Sequence, residues 1–200
     1  MKPTEILENE HRVIEQVLAC LIRINDEAQE KGKLNAESAR QAIEFFQTFA
    51  DQCHHGKEEV HLFPMMESKG YPRYGGPTGV MFHEHEQGRS FIRAMSEAID
   101  AAAQGDAVAL AKFGTNATSY VNMLSEHIRK EDHCLFTMAN NAMSDEDQQK
   151  LMELFDHVEH EEMGHGTHEK YLGIANHLAD KYGVPKAEVA GSCGSCGCHH

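Results

Sequence analysis

Two His-x-x-x-Glu pairs, His54/Glu58 and His127/Glu131, each set a nitrogen donor and an oxygen donor about one helical turn apart. Imidazole and carboxylate are the side chains that hold borderline and hard cations, so the spacing raises metal chemistry at once. Composition supports it: the 200 residues include 15 histidines, beside 32 Asp and Glu. Which of these groups face a common interior follows from the spacing of three and four that a helix buries. On the first helix that stripe reads Leu7, His11, Ile14, Leu18, Leu21. On the second it reads Ile43, Phe46, Ala50, His54, Glu58, Leu62, Met65. The third gives Met81, His85, Gly88, Ile92, Met95, Ile99, and the fourth Phe113, Ala117, Tyr120, Leu124, His127, Glu131, Leu135, Met138. Each stripe carries a histidine, and two carry a glutamate one turn later.

A carboxylate buried without a partner takes up a proton or finds a cation. Glu58 and Glu131, with His11, His54, His85 and His127, therefore read as ligands of a metal pair: carboxylates bridge and imidazoles terminate. Mixed N/O donors without thiolate favour iron, with manganese the other choice. The same test turns His83 outward with Glu86, Ser90 and Glu97, and His133 outward with Glu126 and Arg129. His55 and Glu59 align with Asp51 and Gln52 and are expected to face solvent, with Leu62 and Phe63 anchoring the turn below the site.

The elements that must position these groups are helices nearly throughout, divided by helix punctuation. Thr4 is expected to cap a first helix that stops at Gly32. Asn35 caps a second, closed near Gly70 before the loop Gly70–Pro77. A third runs from about Thr78 to Gly105, and Asp106 caps a fourth ending near Asn140. Ser144 opens a fifth that continues to Tyr182, where Gly183 and Pro185 follow. No β-alternation survives. The expected fold is all-α: an antiparallel up-down-up-down four-helix bundle with an additional C-terminal fifth helix. Residues 1–183 form the domain and residues 184–200 a flexible Gly/Ser/Cys/His tail.

Net charge −14 argues against nucleic acid and anionic membranes as partners. No apolar run approaches bilayer length, and the N-terminus has no secretory stretch, so a cytoplasmic location is expected. Cys20, Cys53 and Cys134 read as small buried hydrophobes. Cys193, Cys196 and Cys198, with two terminal histidines, could grip a soft ion such as Zn or Cu(I). There is no His-Glu-x-x-His: His160-Glu161 is followed by His165 at the fifth place, and His83-Glu84 by Gln87, so a zinc-protease reading is discounted.

The order His11, His54-His-Gly-Lys-Glu58, Glu84-His85, His127-Ile-Arg-Lys-Glu131 resembles the hemerythrin-like (HHE cation-binding) family. The phrases KEEVHLFP, EHEQGR and HIRKEDHCLF support the resemblance over roughly residues 5 to 180. It implies a centre of two non-haem iron ions that meets O2, NO or peroxide. His11, His54, Glu58, His85, His127 and Glu131 are its implied ligands, with Glu58 and Glu131 as bridges. The O2-carrying invertebrate members show His-x-x-x-His on the third helix. Here the fourth place after His83 is Gln87, which tilts the expectation away from reversible O2 storage. The segment EHEEMGHGTHEKY resembles one found after the fourth helix in some bacterial members, and His168 is expected as a further ligand, ahead of His165 and Glu161. Tyr120, on the stripe of His127, could serve a bound oxygen species. Three functions remain open: binding or sensing of O2 or NO or iron and redox stress handling, a catalase-like redox enzyme acting on peroxide, and a metal-buffering bundle without catalysis.

Overall fold

The computed structural model describes residues 1–164 and 166–188, the side chain of Glu162 excepted; His165 and the cysteines of the tail lie outside the described residues. The described residues form helices and connecting loops, with no strand among them. Helix α1 spans Pro3–Lys31, and its cap is Lys2, because Thr4 already lies inside the first turn; Gly32 ends it as expected. Helix α2 runs over residues 36–68 from an Asn35 cap, whose side chain accepts from the Ser38 amide at 3.1 Å. Helix α3 is Pro77–Ala103. Helix α4, residues 107–142, starts from Asp106, which accepts from the Ala109 amide. Helix α5, residues 145–162, opens on a reciprocal Ser144/Asp147 capping box.

The expected fifth helix is in fact two. Gly164 and Gly166 adopt left-handed φ values of 85° and 82°, a conformation other residues rarely accept, and the chain turns there. Helix α6, Thr167–Tyr182, then packs along α1 and α2. Its inward face is Tyr171, Ala175, Leu178 and Ala179, not the stripe through His168 and Leu172 that an unbroken helix would present. Past Gly183, Val184 and Ala187 lie against the core, and the Ala187 amide donates to Gln16 Oε1.

Three stretches of α2 and α4 depart from α geometry. Residues Phe46–His55, Glu58–Leu62 and Glu131–Leu135 have wide turns closed five residues apart: Phe63 N–H reaches Glu58 C=O, and Phe136 N–H reaches Glu131 C=O. Such turns are rare and gather at functional sites. Here they coincide with the His/Glu pairs.

The apolar interior is divided in two. A large cluster includes Ile14, Leu21, Phe46, Met95, Phe113 and Leu124. A smaller one joins Leu7, Leu62, Phe63, Leu135, Phe136 and Phe155. Buried histidines and glutamates lie at the seam: His11 stacks on Phe136 of the smaller cluster, with centroids 5.5 Å apart, and His85 on Phe63 at 5.9 Å. Cys20 and Cys53 are buried as expected, whereas Cys134 is exposed on α4, so it is not a core hydrophobe.

Candidate metal centre

Four helices deliver the buried polar groups. Helix α1 brings His11, α2 brings His54, His55 and Glu58, α3 brings His85, and α4 brings His127 and Glu131, all buried. Donor atoms fall into two quartets, each within 4.8 Å of one another: His11, His54, Glu58 and Glu131, and His55, Glu58, His85 and His127. Glu58 belongs to both, its oxygens lying 3.7 Å from His54 Nε2 and 3.4 Å from His85 Nε2. Glu131 also reaches across: Oε2 is 3.3 Å from His11 Nε2 and 3.2 Å from His127 Nε2.

The outer nitrogen of every one of these imidazoles meets a carboxylate. His11 Nδ1 is 2.7 Å from Asp132, His54 Nδ1 2.8 Å from Glu10, His85 Nδ1 2.7 Å from Glu59, and His127 Nδ1 2.9 Å from Glu84. His55 Nδ1 is 3.2 Å from Asp51 on its own helix. A carboxylate only accepts, so Nδ1 carries the hydrogen and Nε2 of a neutral ring keeps its lone pair for the interior. Imidazoles that hold metals are oriented in this way.

The first four contacts close a ring around the bundle. Glu10 of α1 holds the histidine of α2, and Glu59 of α2 holds that of α3. Glu84 of α3 holds that of α4, and Asp132 of α4 holds that of α1. Each holding carboxylate adjoins a proposed ligand in sequence: Glu10-His11, Glu58-Glu59, Glu84-His85, Glu131-Asp132. That adjacency is the signal by which the sequence could have revealed them. Basic side chains tie the ring down from outside. Lys57, fully buried, pairs with Glu10 and with Glu159 of α5, Arg12 pairs with Asp132, and Lys130 with Glu84.

The electrostatics fit a cation held between these groups. Both oxygens of Glu58 and of Glu131, and His11 Nε2, are buried without a hydrogen-bond partner. Burial and the facing Glu131 carboxylate push Glu58 well above the ordinary carboxylate range. Glu131 stays well below it: burial opposes ionisation, but the His127 charge and contacts from His11 and His127 outweigh burial. Burial pushes His54 down to about 4 and His85 well below its ordinary value, leaving them neutral as ligands must be. His127 is pushed up to about 9 despite burial, because Glu131 and Glu84 hold its charge; a proton there stands where a cation would.

The expected ligands His11, His54, Glu58, His85, His127 and Glu131 are thus brought together. His55 corrects the expectation: it is 5% exposed and stacks on His85 with centroids 3.7 Å apart. The wide turns over Phe46–His55 shift the residues that follow away from the 3.6-residue period, so His54 and His55 both point inward. Glu59 is likewise half-buried, not solvent-facing, and holds His85. His83 and His133 are exposed as expected; Glu161, a lesser candidate ligand on the fifth helix's expected stripe, is exposed and lies outside both quartets. His168 lies apart from both quartets. It sits with Glu10 and Glu159, its ring 5.4 Å from Phe49.

Beside the His55, His85 and His127 group opens a cavity of about 310 Å3, lined by Phe46, Ile92, Tyr120, Met123 and Leu124, with Arg89 and Arg93 among its polar walls. Burial and nearby Asp51 push the Tyr120 hydroxyl pKa upward, so it stays protonated.

Residues 2–139 match the family described as the hemerythrin HHE cation binding domain. The chain belongs to that family. The match covers α1 to most of α4 and so contains every residue of the two quartets; α5 and α6 lie beyond it. Uncharacterized proteins of Mycobacterium tuberculosis and Mycobacterium bovis are 25% identical to this HHE chain over 176 residues, which cover 88% of it and 67% of each relative. No solved structure matches it. An HHE domain implies a bound cation, typically iron, and the buried His/Glu groups can hold one. No helix among the described residues is long and apolar enough to cross a membrane.

Proposed function

We propose that this HHE protein is a non-haem diiron protein that binds or senses O2 or NO, or handles iron and redox stress, on an antiparallel up-down-up-down bundle of α1 to α4 braced by α5 and α6. One observation carries the reading: five buried imidazoles, each with Nδ1 tied to a carboxylate, surround two carboxylates that lack hydrogen bonds. His11 and His54 would hold one ion, and His55, His85 and His127 the other, with Glu58 and Glu131 between them. Five imidazoles and two carboxylates suit iron or manganese. A bound pair with seven protein donors supplies an exchangeable position for a small ligand.

The protein's own groups prepare that position. Two carboxylates offset much of the cations' charge in a dry seam. The Nδ1 contacts fix ring orientation, and Phe63 and Phe136 keep water from the far side. Tyr120, one of the cavity's walls, holds a proton on Oη and can donate it as a hydrogen bond. His55, on α2, offers a fifth imidazole where Gln87 leaves α3 with His85 as its one inward histidine. The test is metal analysis with absorption spectroscopy of aerobically purified protein. About two irons per chain, with near-ultraviolet bands that change on adding azide, are expected. Absence of iron and manganese would reduce the protein to a scaffold, and rapid gas evolution from peroxide would move it to the redox enzymes.

A further inference from the structure

Lys57, Arg12 and Lys130 each tie down one of the carboxylates that hold an imidazole: Glu10, Asp132 and Glu84. Arg89 of α3, on the wall of the cavity, ties down two. Its Nη2 lies 2.7 Å from Asp51 Oδ1 and 2.8 Å from Glu59 Oε1, and its Nε donates to Asp51 at 2.9 Å. Those same two oxygens meet the rings: Asp51 Oδ1 is 3.2 Å from His55 Nδ1, and Glu59 Oε1 is 2.7 Å from His85 Nδ1. A single guanidinium nitrogen is thus one carboxylate oxygen away from each of two imidazoles. Those imidazoles lie stacked, with centroids 3.7 Å apart and planes 12° from parallel.

Asp51 and Glu59 are half-buried, with water in reach. Without the guanidinium their oxygens would be two like charges side by side, and each would turn outward. Each ring would then lose the partner that orients it. His55 depends on this most. Its carboxylate comes from its own helix, outside the ring of cross-helix contacts, and Arg89 is what joins Asp51 to Glu59 of that ring. The planar fork suits the task, because it presents several donors in fixed directions where an ammonium is a point charge. His11 and His54 are secured elsewhere, through Asp132 by Arg12 and through Glu10 by Lys57. The action of Arg89 is therefore confined to the second quartet.

We propose that Arg89 is a positioning residue for the second ion of the pair, holding Asp51 and Glu59 together so that His55 and His85 stay aligned as two donors to one cation. This rests on the diiron reading and adds to it that the two metal positions are supported separately and can be weakened one at a time.

Chelator competition on the iron-loaded full chain, followed by iron content and by the azide-sensitive near-ultraviolet bands, tests the inference. Arg89→Met keeps the apolar stem and removes the fork. One of its two irons should be held about 10- to 100-fold more weakly and the other as in the wild type, with the azide response fading as the weaker iron leaves. Arg89→Lys keeps the charge without the fork and should recover only part of the lost affinity; it carries the test if Arg89→Met fails to fold. Glu86→Gln removes the exposed partner of Arg89, which holds none of the five imidazoles, and should leave both irons at wild-type affinity. Equal weakening of both irons in Arg89→Met, no weakening, or wild-type affinity in Arg89→Lys would overturn the proposal and leave the diiron reading in place. A wild-type protein that takes up no iron would remove that reading and this inference with it.

Discussion

Each of the five imidazoles has Nδ1 tied to a carboxylate and Nε2 turned inward, so each ring's orientation is set before a cation arrives, and His127 has only to give up its inward proton. Replacing a ligand should then differ in kind from replacing its holder. His54→Ala, His55→Ala and Glu131→Ala are expected to lose metal from one or both positions, whereas His83→Ala, on an exposed face, keeps the wild-type content. Iron per chain after dialysis against a chelator reads the difference; equal loss from His83→Ala would refute the assignment of faces. Asp132→Ala removes only the group that orients His11 and should weaken metal affinity about 10- to 100-fold, measured by chelator competition. At this scale the sequence was informative where a residue lay on a regular stripe. Six of the seven gathered groups follow from spacing of three and four, but His55 does not, because local hydrogen-bond register is not written in hydrophobic period. His168 lies apart from both quartets, with Glu10 and Glu159, for another reason: Gly164 and Gly166 break the helix that would carry it along the stripe.

The helices act on the centre through their register. Because Glu10, Glu59, Glu84 and Asp132 each hold the histidine of the next helix in the ring, sliding one helix would misplace both its own ligand and its neighbour's. Wide turns at Glu58–Leu62 and Glu131–Leu135 repeat the device at the corresponding place in α2 and α4. Beyond the matched family region, α5 joins in through Glu159, which shares the buried Lys57 ammonium with Glu10 and so connects to His54. Lys57→Met leaves Glu10 buried without its cation and is expected to cost about 3–5 kcal/mol of stability in urea unfolding. Glu159→Gln should cost less, since Glu159 is half-buried and Glu10 keeps its partner. A Lys57→Met protein as stable as the wild type would show that the tie carries no weight. Caps at Asn35, Asp106 and Ser144 were legible, because the side chains that satisfy a helix's first amides are few. The cross-helix carboxylates were not, because pairing between helices depends on which rods are neighbours.

For the molecule as a whole, a polar layer lies between two apolar clusters, and buried Glu131, joined by Glu58 once it gives up its proton, places negative charge where water cannot answer it. Such a layer favours folding when cations occupy it and opposes folding when they do not, by the ordinary linkage between binding and stability. Metal removal is therefore expected to lower the melting temperature, and Fe(II) added without oxygen to restore it; a melting curve indifferent to metal would count against a buried centre. Anomalous diffraction at the iron edge from crystals of the iron-loaded protein tests the central claim most directly. Two peaks are expected, one among His11, His54, Glu58 and Glu131 and the other among His55, His85, His127 and Glu58. A single peak, none, or a His55 ring turned away from the density would contradict the account.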